Sequence, residues 1–116
     1  MRISRHEATV TIDISESTTV GETDIQINGL VRMMAVEVPA LTGEATTVTL
    51  KLEDKNDNEQ FSQASIAEGG STVIKLQNTD CNLAVPVCET TTLQITASAA
   101  QETTDKDIVV VLWYEN

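Results

Sequence analysis

Hydrophobic and polar residues alternate with period two along much of this chain. Val10, Ile12 and Ile14 alternate with Thr9, Thr11 and Asp13, which gives one apolar and one polar face and predicts a half-buried strand. The alternation recurs in Val48, Leu50 and Leu52 against Thr47, Thr49 and Lys51, and in Leu93, Ile95 and Ala97 against Thr92, Gln94 and Thr96. Gly29 to Val38 reads as a longer strand with Met34, Val36 and Val38 on one side. It stops at Pro39, which has no N–H to give to a ladder. Further strands are expected from Gln60 to Ile66, from Ser71 to Leu76 after the Gly69-Gly70 pair, and from Ile108 to Tyr114. Threonine is abundant and helix-favouring runs are absent; the one helical candidate, Ser98 to Thr103, is too short to matter. About seven to eight strands separated by turns predict an all-β antiparallel sandwich, jelly-roll or immunoglobulin-like, with residues 1–116 as a single domain.

The last strand differs from the others because both of its faces are apolar: Ile108-Val109-Val110-Val111-Leu112-Trp113-Tyr114. Something must cover the second face. Two readings stand. The strand is central and covered by the chain's own loops, or it is a subunit interface. In the second case Trp113, the only tryptophan, and Tyr114 are the anchors beside Val109 and Val111. Left bare, the stretch would be an aggregation site.

Composition narrows the function classes. With 116 residues, 41% hydrophobic and 22% charged, the chain can bury one modest core and lacks the signature of disorder. A net charge of −11 repels polyanions, so neither nucleic acid nor an anionic membrane is an expected partner. No run approaches the roughly 18 apolar residues of a membrane span, and the N-terminus lacks the apolar core of a signal peptide, so synthesis in a cytosol is expected. Against this acidic background, Arg2 and Arg5 stand beside His6 in the first seven residues. Residues 1–7 read either as a solvated strand start or as an arm docking on an acidic neighbour.

Candidate chemistry is sparse. His6 is the only histidine and lies near the chain end, so no Ser-His-Asp arrangement is expected. Cys81 and Cys88 have neither CxxC spacing nor histidine companions for zinc. In a cytosol they read as two thiols, although Asn82 and Pro86 between them permit a turn that closes a disulfide. Asp54, Asn56 and Asn58 match the opening of a calcium loop. Glu59, however, occupies the position of the sharp-turn glycine and Ser65 that of the closing carboxylate. A polar hairpin loop is the expectation. An aromatic content of 3% argues against a sugar-binding cleft. No catalytic residue, cofactor or metal ligand is expected, and the chain reads as a non-enzyme.

The order of segments carries a resemblance. Gly29-Leu30-Val31-Arg32 through Val36-Glu37-Val38-Pro39-Ala40, then Thr47-Val48-Thr49-Leu50-Lys51-Leu52-Glu53-Asp54, then Ser65-Ile66-Ala67-Glu68-Gly69-Gly70 and the closing Val109-Val110-Val111-Leu112-Trp113-Tyr114 resemble small β-sandwich virion structural proteins of tailed bacteriophages. The resemblance covers about residues 29–116 and implies a capsid decoration or cement protein, made in the host bacterial cytoplasm and residing on the capsid exterior. It also implies a homo-oligomer, dimer or trimer, with the major capsid protein as partner, and it carries no catalytic residues. The loop from Cys81 to Cys88 departs from that pattern, and its Leu83, Val85 and Val87 are candidates for a contact of their own. Two other readings remain: a tail, neck or baseplate adaptor, and a stand-alone carbohydrate- or receptor-binding module.

Overall fold

Nine β-strands make up the computed structural model, which describes residues 2–15, 19–43, 46–76, 85–101 and 104–116. They are β1 (Ile3–Ile12), β2 (Val20–Gln26), β3 (Gly29–Val38), β4 (Thr47–Glu53), β5 (Glu59–Ala67), β6 (Gly70–Lys75), β7 (Val85–Val87), β8 (Thr90–Ala97) and β9 (Lys106–Glu115). Sheet A has the order β1-β9-β3-β6, with β7 also paired to β3, and sheet B the order β2-β8-β4-β5. All pairs are antiparallel, and the pairings are nested: β1 with β9, β2 with β8, β3 with β6, β4 with β5. Such nesting is a long ribbon rolled into two sheets. Of the two architectures expected, it is the jelly roll.

The inward positions are those that the alternation marks. Val10 and Ile12 of β1, Met34, Val36 and Val38 of β3, Val48, Leu50 and Leu52 of β4, Leu93, Ile95 and Ala97 of β8, and Ile108, Val110 and Leu112 of β9 all join one buried cluster between the sheets. Leu50 and Leu93 are fully buried, and truncating either to alanine should cost about 2–5 kcal/mol through lost contacts and a residual cavity. The expected first strand ends at Ile12, leaving Ile14 in the turn beyond it.

Two strands lie outside the sequence expectation. In β2 the inward positions are Gly21, Thr23 and Ile25, which pair with Ile95, Leu93 and Thr91 of β8. A Cβ at Gly21 would collide with the Thr11 carbonyl oxygen of β1. The two strands approach so closely here that the side chain which would have marked the alternation has no room. Strand β7 is only three residues long and pairs Val85, Pro86 and Val87 with Val31, Leu30 and Gly29. Ser98 to Gln101 is a loop and not a helical turn. Gln101 is fully buried there, accepting from the Thr42 N–H at 2.6 Å and donating to the carbonyls of Ala99 and Thr42 at 2.9 and 3.3 Å. This amide ties the β3–β4 loop to the β8–β9 loop.

Of the two readings of the opening residues, Ile3 to Glu7 take that of a strand start and not of an arm. Ile3 to Glu7 pair residue by residue with Glu115 to Val111 of β9, and the Asn116 N–H donates to the Arg2 carbonyl at 3.0 Å. The ten-residue β9 needs a backbone partner along its whole length, and the opening residues supply it. They form a strand whose Arg5 and Glu7 are exposed.

Candidate functional site

Sheet A presents an unusual outer face. Directly paired residues in an antiparallel ladder share a face, so the register sorts the outward side chains into rows. Arg5, Trp113, Met33 and Lys75 form the first, Glu7, Val111, Ala35 and Val73 the second, and Thr9, Val109, Glu37 and Ser71 the third; Thr11 and Asp107 follow. The centre of this face is apolar. Val111 is buried to 5% exposure by its neighbours, and Val109 and Trp113 are half-buried. Val73 is 54% exposed, and the other two large hydrophobic side chains exposed among the described residues, Ile3 and Leu30, lie on the same face, each opposite Glu115.

Local interactions hold the rim of this patch in place. The Arg5 guanidinium lies 6.0 Å from the Trp113 ring centroid and pairs with Glu7 at 3.3 Å. An exposed cation–π contact of this kind contributes about 0.5–1 kcal/mol. At the same end of β9, one row beyond Trp113, Arg32 sits at an irregularity of the β3–β9 ladder and bonds the half-buried Glu115 at 3.1 Å.

The candidates read from the apolar terminal strand divide by parity. Val109, Val111 and Trp113 face outward together, whereas Tyr114 points inward, pairs with Ser4 and Val31, and packs against the core cluster. Neighbouring residues of a strand point to opposite sides, so Trp113 and Tyr114 cannot anchor one surface. Val85 and Val87 are likewise not surface contacts. Their alternation in β7 turns both into the core at 6% and 2% exposure, and only Pro86 faces out. Cys88 carries an exposed free thiol; Cys81 and Leu83 lie outside the described residues. His6 faces the sandwich side of β1 opposite Leu112 and is half-buried.

The Asp54 loop is a self-contained hairpin. One Asp54 oxygen accepts from the N–H groups of Asn56 and Asn58, both at 2.9 Å, and the other accepts from the Asn58 side chain at 3.1 Å. Asp57 takes the left-handed conformation at φ 63°. The bonds from Asn58, backbone and side chain, hold the Asp54 carboxyl below its ordinary value. An adjacent ion pair joins Lys55 to Glu89, which raises the lysine's pKa through that hydrogen bond. With its oxygens occupied by the loop's own donors, Asp54 closes the turn between β4 and β5.

The outer face of sheet B is of another kind. Glu22, Gln94 and Lys51 form one of its rows and Asp24, Thr92 and Glu53 the next. Thr92 donates to Asp24 and Gln94 to Glu22, each at 3.0 Å. Two shallow grooves are lined by described residues. One of about 380 Å³ lies on sheet A beside Glu37, Ser71, Asp107 and Val109, and one of about 290 Å³ lies among Asp54, Lys55, Gln60, Cys88 and Glu89. The chain's single phenylalanine, Phe61, packs against the core like Tyr114, which leaves Trp113 as the one aromatic ring on an outer face.

No family model matches the sequence, and no curated protein matches it. Solved structures share the fold at low identity. A chain of the Bacillus endospore appendages, which form disulfide-linked pili, superposes with a TM-score of 0.53 at 15% identity over 97% of this chain and 87% of that one. A chain of the acidic stable capsid of Helicobacter pylori bacteriophage KHP30 gives 0.51 at 10% identity, covering 98% and 92%. The CBM36-1 domain of a multidomain xylanase from the hindgut metagenome of Trinervitermes trinervoides gives 0.50 at 9% identity, covering 96% and 98%. The class of protein thus defined is a jelly-roll β-sandwich whose structural neighbours are structural or binding modules.

Proposed function

We propose that this chain is a non-enzymatic structural subunit of a virion, a decoration protein that joins copies of itself and binds the major capsid protein on the outer surface of the shell. The outer face of sheet A carries this reading. An apolar centre of Val73, Ala35, Val109 and Val111 beside Trp113, rimmed by charge, is the anatomy of an assembly surface. A net charge of −11 suits the exterior of a particle filled with nucleic acid, where a basic surface would be drawn to the packaged polyanion. The sharing of this fold by a phage capsid chain and a pilus chain supports an assembly role. Many small contacts repeated around a shell would give large total stabilisation.

The test is sedimentation of the purified chain with tailed-phage capsids assembled without a decoration protein, at low and moderate salt. Saturable co-sedimentation at many copies per shell is expected, together with a higher melting temperature of the shells. A chain that stays in the supernatant at every salt concentration overturns the reading.

A further inference from the structure

We propose that two copies of this chain associate face to face through the outer side of sheet A, with their strands antiparallel, about a two-fold axis crossing the strands at the row of Glu7, Val111, Ala35 and Val73. The pairing depends only on this face and not on the virion reading. Its basis is the way charge is distributed around the apolar centre. One end of the face carries Arg5 and Lys75 on either side of Trp113 and Met33, with Glu115 one row beyond and its charge matched by Arg32, and the other end carries Glu37 and Asp107 around Val109. Lys75 and Glu37 are exposed, and neither forms an ion pair with a described residue. They stand four positions apart along the β3–β6 ladder, about 13 Å at roughly 3.3 Å per residue, too far to meet within one copy.

A two-fold rotation about that central row reverses strand direction and keeps each strand over its counterpart. Lys75 of one copy then lies over Ser71 and Glu37 of the other, Arg5 comes to the end that holds Asp107, and Trp113 lies over Val109. The groove of about 380 Å³ beside Glu37, Asp107 and Val109 is where the lysine stem and ammonium of the second copy arrive. Glu7 meets its own counterpart at the rim, with its charge already matched by Arg5. The competing two-fold, with its axis along the strands, would set Lys75 against Arg5 and bring the carboxylates together. Electrostatics therefore selects one orientation of the two.

The size of the face agrees. Four strands about 4.8 Å apart and four rows about 6.6 Å apart define roughly 500 Å² per copy, so pairing removes about 1,000 Å² in all, near the lower bound of a specific interface. A reversible dimer is the result.

The experiment is sedimentation velocity of the full chain alone, over a concentration series, for the native protein, Lys75→Glu, Glu37→Lys and the double variant, with circular dichroism confirming that each folds. The native chain should dimerise, either single reversal should weaken the dimer at least tenfold, and the double reversal should restore it to within a few-fold, since each charge then faces its opposite again. A chain that is monomeric across the series overturns the proposal, even if it binds capsids, which would make the shell the occupant of this face. So does a dimer indifferent to the single reversals, or a double variant that stays monomeric. Should a reversal unfold the chain, Val73→Glu at the exposed axis position takes its place and should abolish the dimer.

Discussion

The two outer faces of this sandwich are built from strands of similar length and yet have opposite chemistry. On sheet B the outward residues of β2, β8 and β4 are mostly threonines, glutamines and charged groups, with Val20 at one end, and some bond one another across strands, as Thr92 does with Asp24 and Gln94 with Glu22. A polar face of this kind is satisfied by water and by its own cross-strand bonds. On sheet A the outward residues of β9 and β3 are Val109, Val111, Trp113, Met33 and Ala35, with Val73 on β6. Apolar area left in water forgoes about 25 cal/mol per Å². A chain with one satisfied face and one unsatisfied face has a direction in which to assemble. Two of its edge strands are poorly suited to that role, because charged Arg5 and Glu7 on β1 and the register irregularities of β5 discourage edge pairing.

Substitutions can break this contrast, and Val111→Asp should do so most strongly. Val111 is nearly buried although it points outward, so an aspartate there loses its hydration without gaining a partner. A loss of about 3 kcal/mol or more is expected in urea denaturation. Trp113→Ala comes next. The ring is half-buried and supports Arg5, so roughly 2 kcal/mol should be lost in the same measurement, and self-association measured by sedimentation should fall with it. On the other face, Asp24→Ala removes one cross-strand bond to Thr92 and should shift stability by no more than about 0.5 kcal/mol. If Asp24→Ala cost as much as Trp113→Ala, the contrast between the faces would be wrong.

The smallest effect expected is a pH dependence at the β4–β5 hairpin on sheet B. The folded chain holds the Asp54 carboxyl below its ordinary value. Its contribution is therefore present above the unfolded carboxyl's value and is lost as pH falls through the lower, folded one. Thermal midpoints of the native chain and Asp54→Asn should differ slightly at pH 6, and the difference should shrink below about pH 4. A difference that grows on acidification would contradict the hydrogen-bonded hairpin.

Part of the candidate site was legible in the sequence. The terminal strand is apolar in both parities, which marks a second face in need of cover, and Val109, Val111 and Trp113 are on it. Tyr114 belongs to the other parity, a distinction that the alternation of side chains already contained. Met33 and Ala35 carried the same signal, because Met33-Met34-Ala35-Val36 is also apolar in both parities. Lys75, Glu37 and Val73 had no local mark. They come together only because β6, β3 and β9 are neighbours in one sheet, a pairing between residues far apart in the chain.

What the sequence determined by itself is the set of inward residues and the all-β class, since period-two alternation is a property of neighbouring residues and needs no partner to be read. Strand β2 escaped it because contact with β1 requires glycine at position 21. Val85 and Val87 were misplaced because only the ladder with β3 turns them inward. The tertiary structure alone decided the nested jelly-roll order, the use of the first residues as a strand on β9, and the separation of Lys75 from Glu37 and Asp107 along the outer face of sheet A. The physical reason is that register between distant strands is fixed by which faces can be buried together, and that condition is met only when the whole chain has folded.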